Sequence, residues 1–99
     1  MTAKGYLYAE LKIHDEGDFY NRYMHAVKPM LEKWGATFIV ATDSLDILEG
    51  DREVARVIIL EFSSLVKARD FYYSDEYQSI IGLRLKSSSA HLYIMEGHS

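Results

Sequence analysis

Four consecutive aliphatic residues, Val57-Ile58-Ile59-Leu60, constrain this chain more than any other feature. They sit inside Val54 to Phe62, a β-branched stretch bounded by turn residues, and read as the strongest strand in the sequence. Side chains alternate across a strand, so a strand with one wet face alternates apolar with polar. A continuous apolar run asks for burial on both faces. The chain must therefore build a sheet and find cover for each side of it. With 99 residues there is room for one domain, residues 1–99. A chain of this size buries only roughly 65% of the surface its unfolded form exposes. Supplying both covers from one copy is difficult.

The remaining elements follow from their periods. Gly5 to Ile13 alternates, with Leu7, Ala9, Leu11 and Ile13 on one side and Tyr6, Tyr8, Glu10 and Lys12 on the other. After a polar turn, with Asp15 or Asp18 as the N-cap, Phe19, Tyr23, Val27, Leu31 and Trp34 recur at helical spacing. Pro29 falls inside that helix and predicts a kink, and Gly35 is placed to close it in the left-handed conformation. Thr37 to Ala41 is a short strand, with Leu45 to Leu48 as a possible extension. Ser63 or Ser64 caps a helix through Phe71 and Tyr72, Ser74 re-caps a second stretch through Tyr77 and Leu85, and Ser87-Ser88-Ser89 reads as a loop. Ala90 to Met95 is the last strand. Two right-handed crossovers on one four-stranded antiparallel sheet predict an α+β, ferredoxin-like βαββαβ sandwich. Both main helices then cover one face. The other carries Tyr6, Tyr8, Tyr93 and Met95, and a homodimer joined through that face would remove it from water.

Several function classes are disfavoured. The net charge is −4 and the basic residues are scattered singly, so nucleic acid is not an expected partner. No apolar run approaches the roughly 18 residues of a membrane span, and no signal peptide is visible, so the expected address is cytoplasmic. Without cysteines there is no thiolate chemistry. Dinucleotide, phosphate-loop and zinc motifs are missing, and no two histidines have ligand spacing, so no cofactor and no metal are expected.

Eight tyrosines draw attention, because each couples an apolar ring to a hydroxyl that seeks a partner. Candidate residues stand where the apolar pattern does not require them. Glu61 follows the aliphatic run; it is either a strand end reaching solvent or a buried carboxylate suited to proton transfer. His91 shares a strand face with Tyr93, and Tyr8 shares one with Glu10, so the four can line a pocket between two sheets, or simply pack an interface. Arg84 lies on a helical stripe with Tyr77, Ile80 and Ile81. The plain reading is that it snorkels to water or pairs with a nearby carboxylate; the functional one is that it anchors an anion through its guanidinium.

The segment Ile59-Leu60-Glu61-Phe62-Ser63-Ser64, then Ala68, then Phe71 to Gln78, then Leu83-Arg84, resembles domain-of-unknown-function family 1330. Tyr72, Ser74 and Tyr77 form its most specific part, and Trp34-Gly35-Ala36, Leu48-Glu49-Gly50 and Glu96-Gly97 fit as well. The resemblance covers nearly the whole chain. It implies a dimeric α/β barrel in which two ferredoxin-like sheets face each other. Fold relatives so implied include cofactor-independent monooxygenases, haem-handling enzymes and small stress-response proteins, but no assigned activity and no catalytic residue.

Two functions remain open on the residues. One is a small-molecule-binding protein acting as a cofactor-independent, monooxygenase- or isomerase-like enzyme on a small aromatic or carbonyl compound. Glu61 or His91 would move a proton, and Tyr8, Glu10, Tyr72, Tyr77, Arg84 and Tyr93 would hold the ligand. The other is a ligand-binding or scaffold dimer without chemistry, with haem binding a remote third.

Overall fold

The alternating stretch Gly5–Ile13 becomes β1, a central strand of the sheet, with partners on both sides. The computed structural model describes residues 3–98. After β1 come a π-wound segment (Gly17–Met24) running into α1 (His25–Lys33), then β2 (Thr37–Thr42) and β3 (Arg56–Phe62). α2 (Leu65–Tyr72), α3 (Asp75–Gln78), α4 (Ile81–Ser87) and β4 (Ser88–Glu96) complete the chain. The strands form one antiparallel sheet in the order β2-β3-β1-β4, which is the ferredoxin-like α+β arrangement.

Strand parity decides which residues form the core. Leu7, Ala9, Leu11, Ile58, Leu60 and Phe62 face the helices and are buried. Against them pack Phe19, Tyr23, Val27 and Leu31 from the first helix and Ala68, Phe71 and Tyr77 from the later ones. The first helix places a core residue every fourth position. In a regular α-helix such a stripe drifts, because a turn holds 3.6 residues. The wider i→i+5 turns of the π segment rotate the stripe the opposite way, so Phe19 and Tyr23 stay aligned with Val27 and Leu31. The Asp15 carboxylate caps this helix by accepting from the Asp18 N–H at 3.0 Å. The helical irregularity therefore lies in Gly17–Met24, upstream of Pro29, through which α-helical winding continues to Lys33. Gly35 closes the helix at φ 74°.

Two sequence expectations need correction. Ser87-Ser88-Ser89 is not a loop: α4 ends at Ser87 and β4 begins at Ser88. The Ser87 hydroxyl donates to the carbonyl of Leu83 at 2.6 Å, and the Ser88 hydroxyl donates to that of Arg84 at 2.8 Å. Last-turn carbonyls otherwise need caps or water, so these bonds let helix pass into strand without a connector. Leu45–Leu48 forms no strand; it lies in the long β2–β3 connection. The aliphatic run itself is only half covered. Ile58 and Leu60 are buried, whereas Val57 and Ile59 are half-exposed on the opposite face.

β1 enters the sheet beneath the start of α2, where Ser64 caps by accepting from the Lys67 N–H at 3.1 Å. A Cβ on Gly5 would lie 2.2 Å from the Ser64 carbonyl oxygen, a backbone atom that cannot swing aside. Gly5→Ala is therefore expected to cost about 1–3 kcal/mol, seen as a lower urea midpoint at unchanged slope. Gly82→Ala, with nothing within 4 Å, is the control: a helix-interior alanine should hold the midpoint or raise it.

Candidate functional site

The sheet separates the candidate residues into two groups. Tyr8, Glu10, Glu61, His91 and Tyr93 stand on the open face, while Tyr77 and Arg84 lie among the helices on the other side, with Tyr72 half-buried beside Tyr77. A single pocket holding Glu61, His91 and Arg84 within one chain is excluded by that parity.

On the open face, cross-strand register sets three rows. Glu61, Tyr6 and Met95 form one, Ile59, Tyr8 and Tyr93 the next, and Val57, Glu10 and His91 the third. Glu61 and His91 are thus two strands and four residues apart, about 16 Å by strand geometry, and do not form a pair. Glu61 is half-buried, and the Tyr6 hydroxyl donates to it at 2.9 Å. That bond, more than burial, raises the Tyr6 pKa. The Tyr8 and Tyr93 rings stack at 6.1 Å. The Tyr8 hydroxyl donates to Glu10 at 3.2 Å.

Arg52 also belongs to this face, although nothing in the sequence pattern singles it out. The β2–β3 connection brings Arg52 back over this face, with its Nη2 2.8 and 3.0 Å from the two Glu10 oxygens. Glu10 is thereby the acceptor of an ion pair, committed to its own chain.

Beneath the helices the arrangement differs. Ser74 accepts from the Tyr77 N–H at 3.1 Å and donates to the Phe71 carbonyl at 2.7 Å, a cap that fixes Tyr77 at the start of α3. The Tyr77 ring packs on Phe71 at 4.9 Å and Tyr72 at 5.6 Å. Its hydroxyl is 2.8 Å from that of Tyr23 and accepts from Arg84 Nε at 3.2 Å. Arg84 is only 6% exposed and pairs with no carboxylate among the described residues, so little of it reaches water. Tyr23, Tyr77 and Arg84 line a cavity of about 40 Å³ whose other walls are almost wholly apolar. Tyr23 was assigned to the core stripe; the signal available was its hydroxyl, which a fully buried position obliges to find a partner.

Met24 and Phe38 line this cavity and also an adjoining outer groove of about 460 Å³. The groove is lined by the basic residues His25, Lys28 and Arg56 and by no carboxylate. Among the described residues, no group of three or more His, Asp or Glu side chains is placed to hold a metal ion. No described helix is long and apolar enough to cross a membrane.

The family model described as domain of unknown function (DUF1330) matches residues 4–98. No curated protein matches the chain. Among solved structures, the RPA0582 protein of unknown function from Rhodopseudomonas palustris is similar, with a TM-score of 0.76 at 13% identity over 100% of this chain and 85% of that one. SnoaB from Streptomyces nogalater, described as a cofactor-independent oxygenase, aligns with a TM-score of 0.65 at 10% identity over 100% of this chain and 96% of its own. A protein of unknown function from Bacteroides fragilis, described as dimeric and of ferredoxin-like fold, gives 0.53 at 14% identity over 95% and 94%. At these identities the likeness is one of fold.

Burial, reinforced by the Tyr77 hydroxyl, holds the Tyr23 phenol well above its ordinary pKa of 10.0. In the unfolded chain Tyr23 ionises near that ordinary value. The stabilisation linked to the protonated phenol is therefore whole below pH 10 and declines as pH rises beyond it toward the folded-state value. Urea midpoints measured on either side of pH 10 should fall on the alkaline side, and Tyr23→Phe should flatten that fall. At neutral pH the same variant should cost about 0.5–1.5 kcal/mol for the lost hydrogen bond.

Proposed function

This chain belongs to the DUF1330 family, and from that premise we propose that it is a small-molecule-binding protein working as a homodimer. The ligand site is the cavity between helices and sheet rather than the open sheet face. The observation that carries this reading is the buried Tyr23–Tyr77–Arg84 hydrogen-bonded group in an otherwise apolar wall. Binding sites combine apolar linings with a few convergent polar groups, and here three such groups meet at one place. A small aromatic or carbonyl compound fits that chemistry: rings pack on Phe19 and Phe71, and a carbonyl oxygen accepts from a tyrosine hydroxyl.

The enzymatic form of this reading is a cofactor-independent reaction at the same site, in which the polar group orients the substrate. Its support is the fold shared with SnoaB. A second reading, a binding or scaffold dimer without chemistry, is favoured by one specific observation. Glu61 and His91, the proton-transfer candidates, stand about 16 Å apart on the other side of the sheet.

The dimer is proposed through the open face. Val57, Ile59, Tyr93 and Met95 present apolar surface there, Tyr93 being 47% and Met95 42% exposed. A matching face on a second copy covers it and supplies the second side of burial that the aliphatic run calls for. The dimeric description of the B. fragilis fold relative is consistent with this.

The site is tested by amide-resolved NMR titration with small aromatic and carbonyl compounds. Saturable shifts are expected at Tyr23, Val27, Tyr77 and Arg84. Shifts confined to Tyr8, His91 and Tyr93 would move the site to the sheet face, and no shifts at all would leave the scaffold reading. For the assembly, sedimentation equilibrium should give twice the 11.4 kDa chain mass, with Tyr93→Lys shifting it toward the monomer. A wild-type monomer at micromolar concentration overturns the interface.

A further inference from the structure

Arg84 has a phenol, and no carboxylate, as the side-chain partner of its guanidinium. Its Nε donates to the Tyr77 hydroxyl, and the Tyr77 and Tyr23 hydroxyls share one hydrogen bond. Two hydroxyl protons with a single bond between them leave one O–H without an acceptor in the group. The guanidinium brings several further N–H donors. No carboxylate balances its charge: the ion pairs among the described residues join Arg22 and Lys86 to Asp18, Lys33 to Glu76 and Arg52 to Glu10. Nor does the Tyr23 phenol supply a negative charge, since burial keeps it protonated. Guanidinium stays charged at any biological pH, and a buried charge without a counter-ion is costly. At the wall of a cavity, such a charge is the group that an anionic ligand would compensate.

We propose that the cavity binds a compact organic carboxylate, its oxygens accepting from the Arg84 guanidinium and from one hydroxyl of the Tyr23–Tyr77 pair. This rests on the reading that the cavity is the ligand site and names the ligand class for it. A carboxylate supplies the acceptors that the three side chains lack, and its single charge matches a single guanidinium. A phosphate dianion would leave a second charge uncompensated in an apolar chamber. The acid is small, because the cavity measures about 40 Å³, against roughly 300–1,000 Å³ for drug-sized sites. Its apolar body lies against Phe19 and Val27, two of the cavity's walls.

The groove beside the cavity carries the same sign. Lys28 and Arg56, with His25, border the outer groove that meets the cavity at Met24 and Phe38. Arg56 adds a buried Nε with no partner. In a chain of net charge −4, a groove without acidic residues concentrates positive potential and favours the approach of anions.

The test compares propionate, isobutyrate and benzoate with their neutral amides at constant ionic strength, by NMR titration of the intact wild-type chain. The acids should give saturable shifts at Tyr23, Tyr77 and Arg84, and the amides should bind roughly tenfold or more weakly, a difference of about 1.4 kcal/mol. Arg84→Met should abolish the preference for acids while leaving the melting temperature unchanged or higher, since it removes an uncompensated charge. Arg84→Lys keeps the charge but loses the planar fork, and should retain a weakened preference. Acids and amides binding equally, with Arg84→Met indifferent, would overturn the carboxylate proposal and leave the cavity reading standing. Neither class binding would overturn both.

Discussion

Each strand of this sheet sends alternate side chains to opposite faces, and only one of those faces meets the helices. Most of the structure depends on that division. It selects Leu7, Ala9, Leu11, Ile58, Leu60 and Phe62 as core. It leaves Tyr6, Tyr8, Val57, Ile59, Tyr93 and Met95 outside. It also determines which polar residues can meet. A one-residue slip in register would exchange the two sets entirely, so the close passage of Gly5 under Ser64 and the serine-bonded junction of α4 with β4 carry weight beyond their own bonds. They fix where β1 and β4 begin.

The two faces handle polarity differently. On the open face, the carboxylates have partners within the chain: Glu61 accepts from Tyr6, and Glu10 accepts from Tyr8 and pairs with Arg52. Under the helices the Arg84 guanidinium has no such partner among the described carboxylates. The Tyr23–Tyr77–Arg84 group has more donors than acceptors and a charge with no counter-ion. Buried charges are usually paired, and this contrast moves functional interest from the tyrosine-rich face to the smaller chamber beneath.

Much of the fold was legible because period and punctuation agreed. The alternation of Gly5–Ile13, the four-spaced stripe from Phe19 to Leu31, the caps at Ser64 and Ser74 and the glycine at 35 each appear where the sequence puts them. The serine run at 87–89 misled, because serine favours both loops and helix ends. Only its acceptors, the carbonyls of Leu83 and Arg84, show which role it takes. The π winding of Gly17–Met24 was hidden for a similar reason: residues four apart fit a slightly drifting α-helix as well as a widened one.

The candidate site was legible in its parts and not in its grouping. From residue types alone, Tyr77 and Arg84 stood out as polar groups on an apolar helical stripe, and Glu61, His91, Tyr8 and Tyr93 as polar or aromatic groups on strands. Composition and period determined the fold and the strand faces, because these depend on local repeats of two and 3.6 residues. Which residues share a site was decided by tertiary structure alone. Hydrogen bonds such as Tyr23 to Tyr77, 54 residues apart, and the ion pair of Glu10 with Arg52, 42 apart, depend on how helices and loops settle on the sheet. No spacing along the chain encodes that a guanidinium will be buried without a carboxylate beside it.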